Sequence, residues 1–161
     1  MKKAILTAVF AALSAALFAA GTPADFFADA KAKAKAENKK IMVVFSGLEW
    51  CPPCQLFNAK IIKANYFKSF ASKNLVFIEV DRKRNGKVEV EVDKRKVQVK
   101  PDEEKDFKSA LMKLELEYPH RGVPFAVVVN DEGKVLMEQL GCPKDLNAVD
   151  FVKNLKLKIG K

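Results

Sequence analysis

The chain has few of the residues that staple a fold or ligate a metal. It holds three cysteines and one histidine in 161 residues. Three cysteines exclude a disulfide framework, which needs an even and larger set. A structural zinc site needs four ligands, and beyond Cys51 and Cys54 only Cys142 and His120 are on offer. No metal and no cofactor is therefore implied. Internal repeats and low-complexity tracts are missing too. No basic stop-transfer cluster follows the apolar N-terminal run, and no cysteine near it would take a lipid.

What is present at the N-terminus is a short basic start, Lys2 and Lys3, then an uncharged run from Ala4 to Ala20 and a cluster of small residues. That layout predicts a secretory signal peptide over residues 1–24. The small-residue rule allows cleavage after Gly21, with Ala19 at −3, or after Ala24, with Thr22 at −3. An uncleaved anchor is the alternative, although the run is slightly short for a spanning helix. The expected mature chain is periplasmic or secreted. It keeps roughly 140 residues, enough for one domain with a real core. Its formal charge falls from +9 to +7 with Lys2 and Lys3 gone. Charge of this size bears on solubility and encounter rather than fold. An exported chain with one close cysteine pair and one spare thiol reads as redox-active.

Hydrophobic patterning predicts a single α/β domain over 25–161. Residues 24–38, rich in alanine and lysine, read as a helix that Asp25 caps and Asn38 ends. The continuous apolar run 40–46 and the run 74–81 are strands buried on both faces. Residues 55–73 are helical with a break near Ala64–Asn65, and 107–118 form an amphipathic helix. A hairpin follows over 124–140, turning at 131–133, and 145–159 close the chain as a helix. The expected architecture is a central mixed sheet flanked by helices. One segment stands apart. Residues 82–100 alternate valine with charge, carry eight basic residues, and read as a hairpin with one dry face turning near Asp93–Lys94, most simply a solvated protrusion.

The chemistry concentrates in Trp50-Cys51-Pro52-Pro53-Cys54. Proline is harmless in a first helical turn, where backbone N–H groups have no partner, and its fixed φ starts the helix. Cys51 is then the cap residue, with its sulfur over the positive helix end, which favours the thiolate. Cys54 lies on the same face within disulfide reach. Cys51 would attack a substrate disulfide and Cys54 would resolve the mixed disulfide. A half metal site and an inert staple remain the other readings of the pair. Trp50 beside it would offer a flat apolar contact. His120 reads as a solvated loop residue, since this exchange needs no histidine base.

Residues 43–54 together with 118–136 resemble the thioredoxin superfamily, in particular its small exported thioredoxin-like members. The resemblance covers about residues 25–159, with 82–100 as an insertion. It implies a thioredoxin-like fold. It also implies that Pro124 is the cis-proline facing the cysteine pair, and that Val123 presents backbone groups to an extended substrate. Gly141 would form the far rim of that groove, placing Cys142, a candidate accessory thiol, near the active face. Two departures matter. Val44 stands where the family carries a buried aspartate, and Phe125 stands where it carries threonine. Glu79 aligns with a lysine that pairs with that aspartate, which makes it a candidate proton acceptor for Cys54.

The leading functional expectation is an exported thiol–disulfide oxidoreductase acting on protein thiols and disulfides. A membrane-linked electron donor or acceptor is expected beside it, with no nucleic acid and a monomeric state. Because Pro52 and Pro53 deny the Cys51 thiolate two N–H donors, the couple is expected to lean reductant. A non-catalytic peptide-binding module and a thiol metal carrier are the competing readings.

Overall fold

The computed structural model describes residues 22–161, so the leader read over 1–24 lies almost wholly outside the described residues. The first helix α1 (Phe26–Ala36) is preceded by a 3-10 turn at Pro23–Asp25. Asp25 caps that turn, accepting from the Thr22 N–H at 3.0 Å, instead of capping α1 itself. Asn38 ends the segment with φ 51°, a left-handed value that asparagine tolerates.

Strand β1 (Lys40–Ser46) and strand β2 (Leu75–Arg82) run parallel at the centre of the sheet. Between them lie α2 (Pro52–Phe57), a π-helical turn (Asn58–Ile62) and α3 (Asn65–Asn74), with the break falling at Lys63–Ala64 as the sequence predicts. Then come β3 (Val88–Val92), β4 (Arg95–Lys96), α4 (Glu104–Glu117), β5 (Phe125–Val129), β6 (Val135–Leu140) and α5 (Ala148–Ile159). The sheet order is β4-β3-β2-β1-β5-β6. Only the β1–β2 pair is parallel, so the sheet is mixed.

The continuous apolar runs have a simple cause. Ile41, Val43 and Phe45 of β1 point into a layer beneath α1 and α4. Met42 and Val44 point into a second layer beneath the π turn, α3 and α5. Both faces are dry, so neither face of β1 can be polar. All six residues from Ile41 to Ser46 are buried.

The basic segment is not the solvated hairpin read from its sequence. Its turn is at Asp93–Lys94, with φ 47° and 67°, but β3 pairs antiparallel with β2 and so widens the main sheet. Val90 and Val92 are buried in the layer under α1 and α4, opposite Val80 and Ile78. The reason is that β2 without β3 would be an open sheet edge, and the alternating valines supply a matching apolar face. Glu89 and Glu91 alternate onto the other face, which no helix of the insertion covers. The second arm is also shorter than the pattern suggests, since Val97 and Val99 pack on the core as coil.

The double substitution Val90→Ala and Val92→Ala removes two buried side-chain pairs of methyls. It should cost about 3 kcal/mol or more, from ~0.8 kcal/mol per buried methylene-sized group plus a cavity term. Urea unfolding should show a lower midpoint at an unchanged slope. An unshifted midpoint would mean the insertion is dispensable to the core.

Candidate functional site

Cys51 caps α2 in an extended conformation (φ −109°, ψ 100°), and its Sγ accepts from the Cys54 N–H at 3.2 Å. The prolines at the first two helical positions leave no earlier N–H to satisfy. Cys51 and Cys54 form a disulfide with Cα atoms 5.2 Å apart. Both sulfur-bearing residues are buried, Cys51 at 5 % and Cys54 at 1 % exposure, so the attacking position is the more accessible. Such a pair can exchange with an external disulfide or thiol through a mixed disulfide.

The wall opposite is built by the segment before β5. The Val123–Pro124 peptide is cis, and the Val123 carbonyl oxygen lies 3.6 Å from Cys51 Sγ. Gly141, at φ 72°, donates its N–H to the Pro124 carbonyl at 2.8 Å. Its left-handed backbone explains glycine there. Cys142 follows, half-buried against the second core layer; burial pushes its thiol pKa up, partly offset by the Lys60 ammonium. Phe125 is buried opposite Phe45. His120 is half-buried and not a freely solvated residue: its ring packs against those of Phe45 and Phe125, at 4.5 and 5.1 Å between centroids. The two phenyl groups cap one end of the core and give the imidazole a flat apolar seat.

Trp50 stands at the mouth, 41 % exposed. Its indole N–H donates to the Arg82 carbonyl at 2.7 Å and its ring lies over Gly47. A Cβ at Gly47 would come within 2.4 Å of that ring, so the glycine is what lets the indole lie flat.

Sequence reading missed Asp81. It is 6 % exposed, and its Oδ1 accepts from the Leu48 N–H at 2.8 Å and, more weakly, from the Ser46 hydroxyl at 3.4 Å. Its Oδ2 takes the Lys83 ammonium at 2.7 Å. Lys83 also reaches Glu89 at 3.2 Å and Glu49 at 3.8 Å, and its pKa is pushed up, first by the hydrogen bond to Asp81. From Leu48 the chain closes on itself: the Trp50 and Cys51 N–H groups both donate to the Gly47 carbonyl, and the Gln55 amide donates to the Leu48 carbonyl. The turn presenting Cys51 thus hangs from Asp81. The available signal was an acid ending an otherwise apolar strand next to a serine ending its neighbour.

Glu79 stands directly across the parallel pair from Val44, the position where the resemblance expected an acid. It lines a cavity of about 600 Å³ beside α3 with Ile62, Lys63, Phe67, Phe77 and Glu91, and with Asn58, one turn beyond Cys54. Burial raises its pKa, reinforced by Asp81 and Glu91 and opposed by Lys83 and Lys63. The cysteines do not line this cavity. No cluster of three or more metal-ligating side chains occurs among the described residues.

Comparison with known proteins agrees with this geometry. The model of a family described as a thioredoxin-like domain matches residues 27–146. A solved structure titled "DsbH Oxidoreductase" superposes with a TM-score of 0.65 at 22% identity, over 98% of this chain and 95% of that one. The oxidised C-terminal domain of DsbD from Neisseria meningitidis gives 0.53 at 17% identity, over 84% and 94%. At such identities the two structures share the fold. A search of curated proteins finds no match.

Two outcomes follow from the polar contacts. Asp81→Ala strips the Leu48 N–H of its acceptor and Lys83 of its closest carboxylate, and should cost about 2 kcal/mol. Asp81→Asn keeps the acceptor and should cost less. The single tryptophan reports the turn, so Asp81→Ala and Gly47→Ala should both shift Trp50 emission to the red as the indole leaves its seat. Unchanged emission in both would refute the coupling. Separately, a raised carboxyl pKa means the folded state holds the proton more tightly than the unfolded chain. The stability this gives is present below the unfolded value and lost as pH rises through the folded one. Glu79→Gln should therefore stabilise the protein at neutral pH, with the gain vanishing in acid.

Proposed function

The chain belongs to the thioredoxin-like domain family, and on that premise we propose that it is an exported thiol–disulfide oxidoreductase that leans reductant. Cys51 is the nucleophile. Its thiolate attacks a protein disulfide, forming one S–S bond as the substrate's breaks and a substrate thiolate leaves. Cys54 then attacks Cys51, giving the disulfide seen here and releasing the reduced substrate. The observation that carries this reading is the apposition of the Cys51 sulfur, at the cap of α2, to the carbonyl before a cis-proline.

The remaining roles follow from placement. Trp50 and Val123 flank the sulfur, Pro124 fixes the turn, and Gly141 forms the far rim. Together they accept an extended substrate segment across the disulfide. Glu79 is the proton acceptor for Cys54: it is opposite Val44, its acidity is weakened by burial, and Asn58, one turn past Cys54, shares its cavity. Cys142 is an accessory thiol beside the rim. Reductant character is supported by the donor count, since the Cys54 N–H bonds Cys51 Sγ while Pro52 and Pro53 bring none. Fewer donors mean a less stabilised thiolate and a less oxidising couple. The leader pattern supports a periplasmic or secreted site of action, as a monomer. Electrons must then come from a membrane-linked partner.

Insulin reduction by the mature domain should depend on Cys51, with Cys51→Ser at the thiol background and Cys54→Ser accumulating mixed disulfide. Peptide binding without turnover would instead favour a binding module, and copurifying metal a carrier. The couple should titrate at roughly −200 to −270 mV, the range of glutaredoxins and thioredoxin. A Cys51 pKa below about 5 would overturn the reductant assignment. Glu79→Gln should slow mixed-disulfide resolution between about pH 6 and 8, where a carboxyl with a raised pKa still accepts a proton. An unchanged rate would remove Glu79 from the step.

A further inference from the structure

The basic segment 82–100 engages several of its cations with carboxylates, although most of them stay exposed. Lys83 is held by Asp81, Glu89 and Glu49, Lys96 by Glu89, and the Arg82 guanidinium by Glu115. Arg84 is different. It is exposed, and its contacts are to the active-site turn: its N–H donates to the Glu49 carboxylate at 3.2 Å and its guanidinium reaches the Glu49 carbonyl at 3.5 Å. That fixes a cation two residues from Cys51 along the wall carrying Trp50.

The other walls repeat the feature. Arg121 is exposed on the segment before the cis peptide, two residues from the carbonyl that faces Cys51 Sγ. Lys144 is exposed three residues after Gly141, and the Lys60 ammonium donates to its backbone carbonyl at 2.8 Å, which holds a second cation behind the far rim. None of these four cations is in an ion pair among the described residues. The carboxylates on the same segments are Glu49, already engaged by Lys83, and Asp145. Three separate loops therefore each set an exposed cation beside the groove, with Glu49 and Asp145 as the acids nearest in sequence.

We propose that this rim selects disulfides carried on acidic protein segments, a substrate class that rests on the oxidoreductase reading above. Cations within about 8–10 Å of an incoming chain, one Debye length at physiological salt, raise the encounter rate with anions and are screened as salt rises. The groove supplies contacts to the substrate backbone, and the rim supplies the choice among substrates.

The test uses the reduced mature protein and two synthetic peptides of equal length. Each carries one disulfide, flanked by Asp and Glu in one and by Asn and Gln in the other. Two electrons and two protons pass from the Cys51–Cys54 dithiol to the peptide disulfide. At about 20 mM salt kcat/KM for the acidic peptide should exceed that for the neutral one by roughly tenfold or more, and the ratio should collapse at about 200 mM. A triple Arg84→Ser, Arg121→Ser, Lys144→Ser variant should bring the low-salt ratio towards one. A control that removes the same charge elsewhere, Lys35→Ser, Lys105→Ser and Lys113→Ser, should keep it. Equal rates for both peptides in the native protein would overturn the proposal. So would an equal fall in rim variant and control, which would assign the preference to overall charge. Binding to phosphatidylserine vesicles lost in the rim variant, with no peptide preference, would give the rim to a membrane surface instead. Failure to reduce either peptide would defeat the oxidoreductase reading itself.

Discussion

One buried carboxylate holds together parts of the protein that have no other reason to sit in register. Asp81 ends β2, and it binds the backbone of the turn before Cys51, the serine that ends β1, and the lysine that opens the insertion. A carboxylate this buried is tolerable only when its oxygens are matched, and here an N–H, a hydroxyl and an ammonium share them. The consequence is mechanical. With Leu48 fixed, the Gly47 carbonyl is fixed, and the N–H groups of Trp50 and Cys51 follow it. Cys51 is presented by a turn whose anchor lies in the sheet.

The insertion is the second half of the same arrangement. Its valines close the edge of β2, and its first residues return to the active-site turn through the Arg82 carbonyl, Lys83 and Arg84. A strand pair added for burial thereby becomes a wall of the groove. Within the segment, Lys83 and the Arg82 carbonyl tie the wall to the active-site turn, and Arg84 stands exposed beside it.

The site also shows a carboxylate displaced across one strand pair. Val44 and Glu79 are cross-strand partners on one face of the sheet, so the acid that the resemblance led one to expect on β1 has a neighbour on β2. They are not equivalent. Glu79 sits in a cavity beside α3 with Glu91 opposite it, and that second carboxylate adds to burial in keeping its proton on.

Much of this was legible in the chain. The strands read at 40–46 and 74–81, the helix opened by two prolines, the break near Ala64 and the hairpin after Pro124 all follow from local rules, because period, cap and turn chemistry act within a few residues. The cysteine pair was legible for the same reason, its spacing and cap position being local. What only the tertiary structure decided involves residues that meet from distant segments. The alternating valines of 88–92 specify a dry face, but not that it would widen the main sheet. His120 gives no sign in its own loop that it will pack on Phe45 and Phe125. Asp81 is one acid among twenty in the sequence. It becomes the anchor of the active-site turn only when parallel pairing sets it beside Ser46, because a hydrogen bond between residues 33 apart depends on strand register, which no local pattern encodes.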